Sequence, residues 1–174
     1  MGLDKGTGHG MSVPLGYLLT WTTYGTWLPG DERGWVDRRG AAGHVPYEEP
    51  DVTKVNAARI LMAEDAVVLN PAAREAVDNA IREVCRHSGW IDQAVSVRSN
   101  HVHVVVSAGD VEPGKVLGKL KAYGSRALNG LFPSLHRKRW WTEDGSTRYL
   151  NDQKSLLAAV RYVLHQDVSW MKEP

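Results

Sequence analysis

Apolar side chains recur along this chain in two rhythms. Residues 16–27 (GYLLTWTTYGTW) are rich in Thr, Tyr, Trp and Leu, as suits a pleated strand, with Leu19 and Trp21 on one side and Thr20 and Thr22 on the other. Pro29-Gly30 ends it, and residues 30–52 mix Gly, Pro and charge without period, which predicts a long loop. A short helix is predicted over 54–63 and an extended piece over Ala66–Leu69. Asn70-Pro71 reads as an N-cap with proline at the first helical position. That helix carries Ala73, Val77, Ile81 and Val84 or Cys85 on its apolar side and stops at Gly89. Residues 90–97 and His101–Ser107 (HVHVVVS) read as strands joined by a turn at Arg98–Asn100. Pro113 opens a helix to about Leu131, and Asp152 caps a last one to about His165. Between them, residues 132–151 are irregular, with short strand pieces near Trp140–Thr142 and Arg148–Leu150.

This order of strand, helix, hairpin, helix and further strand predicts an α+β fold: an antiparallel sheet with helices packed on one face, as in ferredoxin-like folds. The 174 residues suffice for one domain, assigned to 13–174 behind a Gly-rich flexible tail at 1–12. A single cysteine, Cys85, excludes an internal disulfide and a cysteine-rich zinc site, and fits a cytoplasmic protein. No apolar run is long enough to cross a bilayer, so no membrane partner is expected.

The net charge of +1 hides an uneven distribution. Residues 114–148 hold eight bases (Lys115, Lys119, Lys121, Arg126, Arg137, Lys138, Arg139, Arg148) against two acids, whereas residues 1–110 hold ten bases and fourteen acids. Such a segment suits either a polyanion partner or a solvated helix face followed by a basic loop.

His101-Val102-His103 is the sharpest chemical feature. Side chains two apart on a strand project the same way, so both imidazoles share a face while Val102 and Val104 turn to the core. Two imidazoles at a sheet rim can hold a divalent metal and leave coordination positions open for phosphate oxygens; structural zinc would need two more ligands. The alternative is a pair of half-buried polar residues. On the following helix, Val116, Leu117, Leu120, Gly124, Ala127, Leu128 and Leu131 form an apolar arc beside a basic stripe of Lys115, Lys119 and Arg126. Tyr123 falls on the boundary, where it either packs as an amphipathic border residue or reaches a phosphate held by the stripe. Metal activation of a phosphodiester and attack by tyrosine together make a strand-transfer mechanism.

The run Ser99-Asn100-His101-Val102-His103-Val104-Val105-Val106 resembles the His–hydrophobic–His signature of single-tyrosine transposases, both the insertion-sequence type and those associated with repetitive extragenic palindromes. Trp140–Leu150 and Arg161–His165 resemble the closing segments of the palindrome-associated branch, and the likeness spans roughly Gly16 to Val168. The resemblance implies a ferredoxin-like fold, binding of single-stranded or hairpin DNA, Mg²⁺ or Mn²⁺ at His101 and His103, and a 5′-phosphotyrosine intermediate. It makes Tyr123, in KLKAYGSRALN, the nucleophile; by their own positions, Tyr149 in the irregular segment is a second candidate and Tyr162, beside Arg161 on the last helix, a packing residue. Lys115, Lys119, Arg126, Arg137, Lys138, Arg139 and Trp140 become the nucleic-acid contacts, with Trp140 or Trp141 stacking on exposed bases.

Two features depart from the family pattern. Its members often carry Gln or Asn one helical turn after the tyrosine as a further ligand, but Ala127 stands there, and Asn129 lies about 120° round the helix from Tyr123. The 30–52 loop is also longer than the family needs. An inactive hairpin-binding protein of the same fold and a water-using metal phosphoesterase are the competing readings. Relatives include dimers that exchange helices as well as monomers, so a homodimer is one expectation.

Overall fold

The computed structural model describes residues 13–33 and 48–165. The expected tail at 1–12 and most of the 30–52 loop lie outside them. The elements run β1 (Gly16–Thr22), α1 (Val52–Ile60), α2 (Pro71–Ser88), β2 (Ile91–Val97), β3 (His101–Ser107), α3 (Pro113–Leu131), β4 (Ser146–Leu150) and α4 (Gln153–His165). The strands form one antiparallel sheet in the order β2-β3-β1-β4. The α+β antiparallel architecture expected from the sequence is therefore present.

Local chemistry sets the element ends. Asn70 accepts from the Ala73 N–H at 2.8 Å to start α2, and Gly89 in the left-handed region (φ 68°) stops it. Asp152 accepts from the Ser155 N–H at 2.8 Å at the start of α4. The strand expected near Trp140–Thr142 is reduced to a bridge between Trp141 and Thr23, and the fourth strand begins at Ser146. Gly145 just before it has a reason to be glycine: a Cβ would lie 2.8 Å from the Thr20 carbonyl oxygen.

The two sheet faces are covered by different helices. Tyr17, Leu19 and Trp21 of β1 and Val102, Val104 and Val106 of β3 join the main core with α2 and α3. Ala73, Val77, Ile81, Val84 and Cys85 of α2 meet Val116, Leu117, Leu120 and Leu128 of α3 there. Gly124 lets the layers approach, since a Cβ would stand 3.0 Å from the Trp141 ring and 3.6 Å from Val77. The helix layer expected on one face is thus formed by α2 and α3. The last helix goes to the other face, where Leu156, Ala159 and Val163 of α4 close over Ala94, Val105 and Leu150. The cause is the second apolar patch, which needs its own cover.

Candidate active site

The face beneath α4 is apolar at one end and polar at the other. Val105 pairs with Ala94 and Leu18, residues of the α4 core. One step towards the rim, His103 stands between Ser96 of β2 and Thr20 of β1, and Thr20 in turn pairs with Ser146 of β4. At the rim itself, His101 pairs with Thr22, and its carbonyl accepts from the Arg98 N–H at 2.8 Å. The Thr22 and Thr142 hydroxyls meet at 3.0 Å, extending the row. α4 thus covers the apolar rows and leaves the histidines at its margin.

Both imidazoles project to this face, with ring centroids 4.8 Å apart and planes at 78°. The Nδ1 of His101 lies 2.7 Å from Asn100 Oδ1, an acceptor, so Nδ1–H donates and Nε2 carries the lone pair of the neutral ring. The Nδ1 of His103 lies 2.8 Å from the Thr20 hydroxyl. The turn that carries Asn100 is tied down in its turn: the Thr23 N–H and hydroxyl donate to the Asn100 carbonyl at 2.8 and 3.1 Å, as does the Thr26 hydroxyl at 3.3 Å. His103 is buried at 6% exposure. Burial, reinforced by the neighbouring His101 and Arg98, pulls its pKa from 6.5 down to about 4. Imidazoles with Nδ1 engaged are the donor chemistry of a metal-binding histidine pair. Among the described residues, no further His, Cys, Asp or Glu joins them in a group of three.

The residue against the pair is Tyr162. Its ring meets His103 edge-on with centroids 5.6 Å apart, and the side chain remains 51% exposed. The sequence reading that makes Tyr162 a packing residue is at odds with this position: Leu156, Ala159 and Val163 do the packing, and Tyr162 flanks them on the histidine side. Tyr123 stands elsewhere. It is half-buried against the α2–α3 core with the Arg126 guanidinium 4.6 Å from its ring centroid, and the sheet lies between it and the histidines. Tyr149 also faces away, paired edge-on with the buried Tyr17 at 5.3 Å.

The expected nucleic-acid contacts divide in the same way. Lys115, Lys119 and Arg126 are exposed on α3, on the far side of the sheet, with Lys119 donating to Ser88 and resting 5.1 Å from the Trp90 ring centroid. Lys138 and Arg139 are exposed, and their backbone N–H groups donate to Glu64 at 2.9 and 3.2 Å. Arg137 is spent internally, donating to the Asp65 carbonyl and lying 3.7 Å from Glu64. Trp140 is buried at 6% exposure; it packs on Phe132 and donates to Asn129 at 2.7 Å, so no open ring face remains for the stacking expected of it. Arg98, Asn100 and Thr20 were not expected at the site. Arg98 follows β2 in the turn, where its backbone N–H donates to the His101 carbonyl and its charge acts on His103.

The solved structures that resemble this fold include a proposed transposase from Deinococcus radiodurans R1. It is 15% identical with a TM-score of 0.51, covering 95% of this chain and 98% of that one. Another is a REP-associated tyrosine transposase bound to a REP hairpin, 14% identical with a TM-score of 0.54, covering 91% of this chain and 69% of that one. At these identities the likeness is one of fold. No curated protein matches the sequence significantly. The sequence itself matches the family described as "Transposase IS200 like" over residues 55–166, a stretch that contains both histidines, α3 and α4. The chain belongs to the family of IS200-like transposases.

Proposed function

We propose that this chain cuts and rejoins single-stranded or hairpin DNA through a 5′-phosphotyrosine intermediate, with Tyr162 rather than Tyr123 as nucleophile and His101 and His103 as ligands of Mg²⁺ or Mn²⁺. One observation carries the reading: the Tyr162 ring lies against His103, with its centroid 5.6 Å away. A tyrosine can form the covalent link only if it reaches the phosphate that the histidine site holds. A second support comes from sequence spacing. Gln166 follows Tyr162 by four residues, one helical turn, and has the amide oxygen that the family pattern expects there, whereas Ala127 after Tyr123 has no donor. Gln166 lies outside the described residues, and we propose it as the third ligand on spacing alone.

In the reaction, Tyr162 Oη attacks phosphorus and loses its proton to solvent. The bond to the 3′-oxygen breaks, and that oxygen leaves with the electron pair and takes up a proton. One phosphodiester replaces another, so attack by an incoming 3′-hydroxyl reverses the step without an external energy source. His101 and His103 would hold Mg²⁺ or Mn²⁺, which would supply charge neutralisation at the phosphate. Arg98, whose charge acts on His103, adds positive charge near the same phosphate. The exposed Lys115, Lys119, Arg126, Lys138 and Arg139 contribute affinity away from the cut, through phosphates that a hairpin presents.

The test is incubation with a labelled single-stranded hairpin and Mn²⁺. A covalent protein–DNA adduct supports the proposal, cleavage without an adduct favours the water-using phosphoesterase, and binding alone favours the inactive hairpin binder. His101→Ala should lower cleavage by at least the ~100-fold that loss of an outer partner of a metal ligand can cost, with little change in hairpin affinity. Equal loss of both would make the histidine structural.

A further inference from the structure

The hydrogen bond to His103 comes from an adjacent strand, 83 residues away in sequence, and links the site to β1. We infer that Thr20 is a positioning residue: its hydroxyl accepts Nδ1–H of His103 and so keeps Nε2 unprotonated for a metal. The inference rests on the metal site proposed above and adds the residue that sets it.

The neutral histidine side chain in water favours the Nε2–H form, in which Nε2 cannot ligate. A protein that uses Nε2 therefore has to impose the other tautomer, and an acceptor on Nδ1 does so. Each histidine of the pair has an oxygen on Nδ1, but of different kinds: an amide oxygen that only accepts for His101, and for His103 a hydroxyl that is able to accept. His101 relies on Asn100, its neighbour in sequence, at 2.7 Å. His103 relies on Thr20, its cross-strand register partner, at 2.8 Å. Threonine suits this position because β-branching restricts χ1, which holds the hydroxyl in place on the strand. The backbone around Thr20 is fixed as well, by pairing to His103 on one side and Ser146 on the other, and by the close approach of Gly145 to its carbonyl. His103 is buried with Tyr162 against its ring, so the Thr20 contact sets both the tautomer and the ring orientation that the nucleophile meets.

The test uses the full chain with ¹⁵N-labelled histidine, free of metal at neutral pH, in wild-type, Thr20→Val and Thr20→Ser forms. Valine keeps the branched shape and removes the hydroxyl; serine keeps the hydroxyl. Ring-nitrogen shifts should show His103 protonated on Nδ1 in the wild type and the serine variant, and shifted towards Nε2–H in the valine variant. Mn²⁺ titration of the same proteins should show the valine variant binding about 10–100-fold more weakly and the serine variant close to wild type. The inference is overturned if His103 carries its proton on Nε2 in the wild type, or if the valine variant matches the wild type in tautomer and Mn²⁺ affinity. If the wild type binds no Mn²⁺, the metal reading fails, and the tautomer comparison alone decides the role of Thr20. If the valine variant does not fold, the wild-type and serine spectra still decide it, because Nε2–H on His103 in either contradicts the inference.

Discussion

His103 is buried where only its neutral form is accommodated, which has a consequence for stability. Its folded pKa of about 4 lies below the ordinary 6.5, so between these values the unfolded chain binds the proton more readily than the folded one. The stability it contributes is therefore complete above pH 6.5 and is lost as pH falls towards 4, by about 3 kcal/mol at most. Urea denaturation of the metal-free protein at pH 7 and pH 5 should show this decline, and His103→Gln should flatten it. A decline of the same size in the glutamine variant would assign it to other groups. Strand alternation made the His101–His103 pair and its shared face legible from sequence alone. Thr20 was legible as a residue on one side of a strand, but nothing in the sequence gives the register that sets it opposite His103. Trp140 departs from expectation for a related reason: an aromatic in a basic loop reads as exposed, whereas contact with Phe132 and Asn129 buries it.

The bases of a single helix differ in role in ways that charge counting hides. Lys121 counts among the bases of α3, yet its ammonium donates to the carbonyls of Thr142, Glu143 and Asp144 at 2.6, 2.8 and 3.3 Å. Burial lowers its pKa, with Asp144 and Glu143 opposing that shift. It anchors the segment entering β4, as does Trp141, whose indole N–H donates to the Lys121 carbonyl and Ser125 hydroxyl at 3.0 Å. Lys121→Met should cost about 2–3 kcal/mol in urea denaturation, because three carbonyls lose a charged donor. Lys115→Ala, on the exposed stripe, should stay within about 0.5 kcal/mol. Equal effects would remove the distinction between the clamp and the stripe. The helices themselves were legible through their caps and apolar periodicity, but an amphipathic helix does not state which sheet face it covers. Tyr123 and Tyr162 each border an apolar stripe, and the periodicity of α3 and α4 cannot rank them.

At the scale of the whole molecule, the sheet separates two surfaces. One carries α2, α3 and the basic stripe; the other carries α4, the histidines and Tyr162. Among the described residues no helix is long and apolar enough to cross a membrane. The antiparallel α+β design was legible from element order, because a hairpin with short strands on either side has few ways to pair. The assignment of α4 to the second face was not, since it depends on Val105, Ala94 and Leu150 coming together from three strands. That assignment puts Tyr162, and not Tyr123, on the face of the histidines. The decisive measurement is adduct formation on a labelled hairpin with Mn²⁺, comparing Tyr162→Phe with Tyr123→Phe. Each change removes one hydroxyl and keeps the ring, so hairpin binding should survive in both. The adduct should disappear in Tyr162→Phe and persist in Tyr123→Phe; an adduct that persists in Tyr162→Phe would rule out Tyr162 as the nucleophile.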